Sequence, residues 1–269
     1  MNASKSWGLA AVVALAAVAG YFALRGTAPQ PDPQVGVEEP SAPAPITAEP
    51  SVQYPIEAVI DPAAEVPDAG PLPALDESDA VVSASLDALL AAGARPDLLL
   101  LQDVIRRVVV TVDNLPRERF ARRLSPVKSV EGRLLVSGDG DDRVISEDNR
   151  ARYAPYVSLV EAVDIRYLTA LYARFYPLFQ QAYQELGYPQ GYFNDRLVAV
   201  FDHLLATPEP AGPLRVVQPK VLYQFADPEL ERLSAGQKIL VRMGPDNAAR
   251  VKARLRELRR RVAGGVSAP

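Results

Sequence analysis

The densest run of groups able to do chemistry lies between residues 188 and 196: Tyr188, Gln190, Tyr192, Phe193, Asn194, Asp195 and Arg196. Aromatic faces beside a carboxylate and a guanidinium suit a sugar or a peptide, which offer apolar surface and hydrogen-bonding groups together. The same residue types also serve plain structure: Asn194 capping a helix, Asp195 and Arg196 on the surface, and the rings packed between helices. Further on, Asp202 precedes the single histidine, His203. Helix neighbours point about 100° apart, so these two do not face each other. With no nucleophile-elbow pattern present, a buried or capping imidazole is a simpler reading than a general base. Carboxylate chemistry needs two acids brought together. Asp195, Asp202 and Glu185 are available for it, and they define the enzyme alternative, a hydrolase acting on a cell-wall or surface polymer.

A second chemical feature is cationic. Arg250, Lys252, Arg254, Arg256, Arg259, Arg260 and Arg261 crowd one stretch against Glu257. Val251, Leu255, Leu258 and Val262 step through it at helical spacing, a narrow apolar seam. The seam can dock on the domain while the cations face solvent and favour the helix's carboxyl end. Arg254, Arg256, Arg259 and Arg260 can equally meet anionic lipid headgroups or the chain's own acidic segment. With Tyr188, Tyr192, Phe193, Asp195 and Arg196 they make up the candidate binding surface. Nucleic acid would match the charge but not an exported location.

Composition removes other chemistries. The 269 residues include no cysteine, so disulfides, thiolate metal sites and cysteine nucleophiles are excluded. A single histidine excludes multi-histidine metal sites. Asp139, Asp141 and Asp142 lack the later glycine and distal glutamate of a calcium loop and read as a turn. No cofactor and no metal is expected.

The net charge of −4 hides three segments. Residues 1–25 carry Lys5 and Arg25 and no acid, whereas residues 26–94 carry twelve acids and no base. The remainder is net basic, and such asymmetry marks segments with different physical roles. Trp7 to Leu24 is uncharged over 18 residues. As a helix it reaches about 27 Å, the thickness of a hydrocarbon core, with Trp7 and Tyr21 near the interfaces. A cleaved secretory signal is the rival, since Ala17-Val18-Ala19 resembles a cleavage site. However, the apolar run continues through Tyr21, Phe22 and Leu24. Residues 26–73 hold twelve of the 25 prolines and eight acids. That composition cannot bury enough surface to offset ordering entropy. It reads as a disordered acidic spacer over 26–71, able to extend on the order of 140 Å in polyproline-II geometry.

From Leu72 to Val262 the pattern becomes that of a compact helical domain, followed by a short tail over 263–269. Ser78 suits the cap of a helix from Asp79 with Val82, Leu86, Leu89 and Leu90 inward and Gly93 ending it. A second helix is expected over Asp97 to about Asp113. Arg133–Ser137 and Arg143–Ser146 flank a glycine-aspartate turn and read as a hairpin. A helical stretch from Ser146 is interrupted by Pro155. Asp164 caps the longest helix, to Leu186, with Leu168, Leu171, Phe175, Leu178, Phe179, Ala182 and Leu186 inward, a kink at Pro177 and an end at Gly187. Asn194, Ser234 and Pro245 open three more, the first with Leu197, Val200, Phe201 and Leu204 inward. Val216 to Phe225 is ambiguous, and a short helix is permitted between Pro219 and Pro228. The expected fold class is mainly α: a single-pass transmembrane helix, a disordered proline-rich linker and a helical domain with one β-hairpin.

Four runs resemble a known family: LPALDESD at 72–79, RYAPYV at 152–157, YPLFQQAYQELGYPQGYFNDRLVAVFDHLLATP at 176–208, and VLYQFADPELERLSAGQKILVRMGPDNAARVKARLRELR at 221–259. The chain resembles the proteobacterial domain-of-unknown-function family three-zero-one-four, whose members carry an amino-terminal anchor and a proline-rich stretch. The resemblance implies a bacterial envelope protein and supplies no catalytic residues. The expectation is therefore an inner-membrane protein, anchored by one N-terminal helix, with its C-terminal domain in the periplasm. An envelope protein is the expected partner, with anionic lipid as a second contact.

Overall fold

The computed structural model describes residues 52–59, 70–87 and 96–265. The expected membrane span, most of the acidic spacer, and the Leu89, Leu90 and Gly93 end of the first helix lie outside the described residues. Among the described residues, no helix is long and apolar enough to cross a membrane.

The domain is mainly helical, as its periodicity predicts. In chain order the helices are α1 (Asp79–Asp87), α2 (Val104–Asn114), α3 (Asn149–Glu161), α4 (Ile165–Glu185), α5 (Phe193–Leu205), α6 (Pro228–Arg232), α7 (Ala235–Arg242) and α8 (Pro245–Val262). Among the described residues two antiparallel hairpins interrupt them, against the one that the sequence predicts. Strand β1 (Val136–Ser137) pairs with β2 (Val144–Ile145), and β3 (Val216–Val217) pairs with β4 (Gln224–Phe225). Gly138 and Gly140, both at positive φ, turn the first hairpin. The second occupies the segment at 216–225, where Pro219 and Pro228 permit a short helix. Its first strand is held extended by the first hairpin, with Ile145 N donating to Leu214 O and Val216 N to Arg143 O.

Local signals placed α4, α7 and α8 well. Asp164 accepts from the amides of Arg166 and Tyr167 to open α4, and Ser234 forms a reciprocal capping box with Gln237 to open α7. Pro245 takes the first position of α8. Helix α4 continues through Pro177, and its expected inward residues are buried; only Leu186, just beyond its end, is exposed.

Helix α3 is the correction. Pro155 does not interrupt it. An interior proline costs about 3 kcal/mol. Tyr153, Tyr156, Val157, Leu159 and Val160 are all buried around it, and each contributes roughly 2 kcal/mol of burial. Packing therefore outweighs the lost donor.

Helix α2 begins at Val104, not Asp97. Leu98–Leu100 instead joins a strand-like contact with Pro126–Lys128, through Leu100 N to Pro126 O at 2.7 Å and Lys128 N to Leu98 O at 2.8 Å. Asp103 then turns the chain in the left-handed region (φ 51°). The new helix start is capped from outside: Asp79 of α1 accepts from Asp103 N at 2.7 Å and Val104 N at 3.1 Å. Ser78 occupies the cap position of α1, but its hydroxyl donates backward to Leu75 O.

The main core lies where α4 packs on α2, and where α8 rests on α3, α4 and α5. The seam Val251, Leu255, Leu258 and Val262 is buried throughout. A smaller cluster around Val216, Phe225 and Val241 joins the hairpins to α7, with the Arg242 guanidinium 4.8 Å from the Phe225 ring centre.

Asp79→Ala is expected to destabilise the domain by about 1 kcal/mol through loss of the cap. That corresponds to a fall of about 2–4 °C in melting temperature. An unchanged melting curve would refute the capping role.

Candidate functional site

The site is built at the start of α5. Gln180 of α4 prepares it: its Oε1 accepts from Phe193 N at 2.8 Å and from the Tyr176 hydroxyl at 2.9 Å, while its Nε2 donates to Gly191 O at 2.7 Å. Helix α5 is thus capped by a side chain of its neighbour. Asn194, expected to be that cap, lies inside the first turn and is fully buried. Its Oδ1 accepts from the Tyr172 hydroxyl at 3.1 Å. Its Nδ2 donates to Val262 O at the end of α8 and to Tyr54 O, both at 2.8 Å.

The Tyr54 bond identifies what the cluster holds. Residues 52–59, within the stretch read as spacer, fold onto the domain as a strap and end in a 3-10 turn, Ile56–Val59, against α4 and α8. Asp195 accepts from Gln53 N at 3.1 Å and Tyr54 N at 2.8 Å, and the Tyr192 hydroxyl accepts from Ile56 N at 2.8 Å. Arg259 sits 5.8 Å from the Tyr54 ring centre and is fixed by both oxygens of Asp202, at 2.9 and 3.0 Å. Val59 is buried and Ala58 abuts Gly264.

Four main-chain bonds hold this strap. Ordering its seven residues from Gln53 to Val59 costs on the order of 10 kcal/mol. The four bonds, two of them to a carboxylate, contribute about 5 kcal/mol. Burying Val59 and part of Tyr54 and Ile56 contributes about another 5 kcal/mol. The strap is therefore seated with little net free energy.

The remaining cluster residues divide between two faces. Asp195 and Arg196 do not act as a pair. Asp195 turns to the strap, while Arg196 turns to α2, where its Nη2 lies 3.0 Å from the buried Asp113 carboxylate and donates to Asp113 O at 2.9 Å. Arg117 closes the other side of Asp113. The Tyr188 hydroxyl lies within hydrogen-bond reach of both Asp113 and Arg117, and its ring stacks on Tyr183 at 4.6 Å. Phe193 is buried and stacks on Phe179 at 5.8 Å. Gln190 is exposed.

The cationic helix is mostly spent on the domain itself. Arg250 forks onto Glu161, Lys252 is buried against Thr207 O (2.7 Å) and Glu209 (2.8 Å), and Arg254 reaches Val163 O and Glu257. Arg259 is held by Asp202. Arg256 and Arg260, one turn apart, remain exposed. These contacts hold the carboxyls of Glu161 and Glu209 below the usual range, chiefly through the hydrogen bonds from Arg250 and Lys252.

The tyrosines beneath the strap are driven away from acid-base duty. Burial raises Tyr172 well above the usual phenol value. Burial, followed by the hydrogen bond with Tyr192, raises Tyr176. These hydroxyls stay protonated and act as hydrogen-bond groups. The three acids considered for catalysis also have separate duties: Asp195 on the strap, Asp202 on Arg259, and Glu185 on Arg106 at 3.1 Å. His203 Nε2 lies 2.8 Å from the Ser234 hydroxyl. That hydroxyl also accepts from Gln237 N, so it ties the imidazole to the capping box of α7. A cavity of about 10 Å³ between Val82, Ile105, Leu171 and Phe175 is apolar and smaller than any organic substrate. Among the described residues, no group of three or more histidines or acids is placed to hold a metal ion.

A family model described as "Protein of unknown function (DUF3014)" matches residues 104–259. The chain belongs to this family. The DUF3014 match takes in Tyr192, Asn194, Asp195 and Arg259, whereas the strap and α1 lie outside it. No curated protein and no solved structure matches the chain.

The residues that sequence reasoning missed are Gln180, Asp113 and the strap itself. Asp113 carried one signal, an acid closing the apolar run Val108–Val112. Tyr54-Pro55-Ile56 with Val59 carried another, the one place in the spacer where an aromatic and two aliphatics fall close together. Gln180, in the middle of a long helix, carried none.

Asn194→Leu leaves the Tyr172 hydroxyl and Val262 O unpaired in the core. It should cost about 3 kcal/mol or more and lower the melting temperature by about 6–12 °C. Asp195→Ala, at a half-buried surface position, should cost about 1 kcal/mol or less. Equal losses would refute the central place given to Asn194.

His203 gives a pH test. Burial, then the nearby Arg196 charge, holds its pKa below the ordinary 6.5. The unfolded chain therefore takes up this proton before the native protein does. The stability is complete above pH 6.5 and declines as pH falls below it, until the native group also protonates. His203→Gln should flatten this decline in urea titrations below about pH 6.5; an unchanged slope would refute the assignment.

Proposed function

We propose that this chain is an envelope protein of the bacterial inner membrane, presenting its helical domain in the periplasm on an acidic tether as an interaction or scaffold module. Three features support the reading. The uncharged run Trp7–Leu24 has the length and the flanking aromatics of an anchor. The spacer has the composition of an extended polypeptide. The observation that carries the functional part is the groove over α4, α5 and α8, in which Tyr192, Asn194 and Asp195 grip a bent segment by its main chain.

A groove that addresses backbone amides and carbonyls is a holder of polypeptide. An envelope protein is the partner class this fits. Arg256 and Arg260 are the exposed cations left for anionic headgroups at the membrane surface. No observation favours the polymer hydrolase, because Asp195, Asp202 and Glu185 are each committed to different partners.

Reporter fusions after Pro269 test the topology. A reporter active only after export should work there, and a cytoplasm-dependent reporter should be silent. The opposite pattern would overturn the proposed location. For the interaction role, a photo-crosslinking residue replacing exposed Gln190 should yield discrete adducts in intact cells. Monomer alone under efficient photolysis would count against it.

A further inference from the structure

We infer that the groove exchanges straps between copies of this chain, so that residues 52–59 of one molecule seat on Tyr192, Asn194 and Asp195 of a second. The inference rests on the polypeptide-holding reading of the groove, but not on the location of the protein.

The groove is formed without the strap. Asn194 retains Val262 O and the Tyr172 hydroxyl when Tyr54 O departs. The Tyr192 ring rests against Tyr176 at 5.4 Å, and Arg259 is fixed by Asp202. Nothing in that set needs residues 52–59 in place. The strap, in turn, is lightly held. Val52, Gln53, Pro55, Glu57 and Ala58 are exposed, Tyr54 and Ile56 are half-buried, and Val59 alone is buried.

The occupant follows from fit. The segment that matches this groove, with an aromatic under Arg259, a proline that has no amide to satisfy, and aliphatics at 56 and 59, is carried by every copy of the chain. Exchange restores each bond identically, so its equilibrium is set by concentration and by the connection. Ten residues, 60–69, join Val59 to Gly70, and those eleven steps span at most about 40 Å.

The absence of cysteine from the sequence makes the test clean. A Cβ at Gly264 would lie 2.9 Å from the Ala58 Cβ. Less than an ångström of opening then reaches disulfide geometry, with Cβ atoms about 3.5–4.5 Å apart. Full-length Ala58→Cys and full-length Gly264→Cys molecules are purified in detergent, mixed and oxidised. A disulfide-linked dimer should form at least about tenfold faster than in a mixture of Ala58→Cys with Ala199→Cys, which carries its thiol on an exposed face of α5.

The double variant Ala58→Cys/Gly264→Cys in one chain reports separately on the groove. If it closes within the chain while the mixed single variants do no better than the Ala199 control, exchange is overturned and the polypeptide-holding reading stands. Gly264 sits at φ 81°, where a side chain strains the backbone; if the double variant melts with the unmodified protein and still fails to close, both fall. Hydrogen exchange on the unmodified protein guards against misfolded variants. The amides of Gln53, Tyr54 and Ile56 should exchange at least about a hundredfold faster than buried amides of α4; exchange at the rate of global unfolding would overturn the inference.

Discussion

A carboxamide buried in an apolar interior is tolerable only if both its ends are paired, and Asn194 meets that condition with three partners from three different parts of the chain. Because each bond is directional, the start of α5 can occupy only one position relative to Tyr172 on α4 and the last carbonyl of α8. The remaining contacts of the site follow from that placement. It aims Asp195 at the amides of the strap and Arg196 at Asp113, on opposite sides of one helix. It also leaves the first amide of α5 facing Gln180, which caps it. Apolar burial supplies most of the free energy of this core, but it is not directional. The polar tie selects one packing from the several that burial alone would accept.

A similar economy governs charge. Helix α8 is strongly cationic, yet Arg250, Lys252, Arg254 and Arg259 meet carboxylates or carbonyls of the loops and helices around its seam. Their long apolar stems extend the buried surface while the charged ends find partners. The exposed pairs add little to stability individually. Buried Lys252 is different, since removing Glu209 would leave its ammonium with a neutral carbonyl, Thr207 O, in place of a countercharge. The cations thus fix how α8 is rotated about its axis, and a helix that looks in sequence like a surface for anions is largely a structural strut.

Much of the fold was legible because its causes are local. Asp164, Ser234 with Gln237, Pro245 and the Gly138–Gly140 turn each act within a few residues, and the spacing of Val251, Leu255, Leu258 and Val262 states which face is buried. The misread elements answer to partners far along the chain. Leu98–Leu100 has helical spacing but pairs with Pro126–Lys128. Pro155 is carried by the packing of its neighbours. The segment at 216–225 is drawn into a hairpin by residues 143–145. The site shows the same division. The polar-aromatic run at 188–196 reads as a place for a sugar, a peptide or plain helix packing; in the structure Tyr192, Asn194 and Asp195 hold residues 53–56 of the same chain. Composition hid this, because main-chain bonds leave almost no trace in the identity of the residues that make them.

The order of contacts along the strap has a mechanical side. Tension arriving from the amino-terminal direction would load the Gln53 and Tyr54 amides first, then Ile56, and Val59 last. Contacts loaded one after another part like a zipper, each yielding at low force, and every step lets out more contour length. Seated, the strap takes up chain length; pulled free it would release it, so the same eight residues would act as a slack reserve between the domain and the residues that precede Val52.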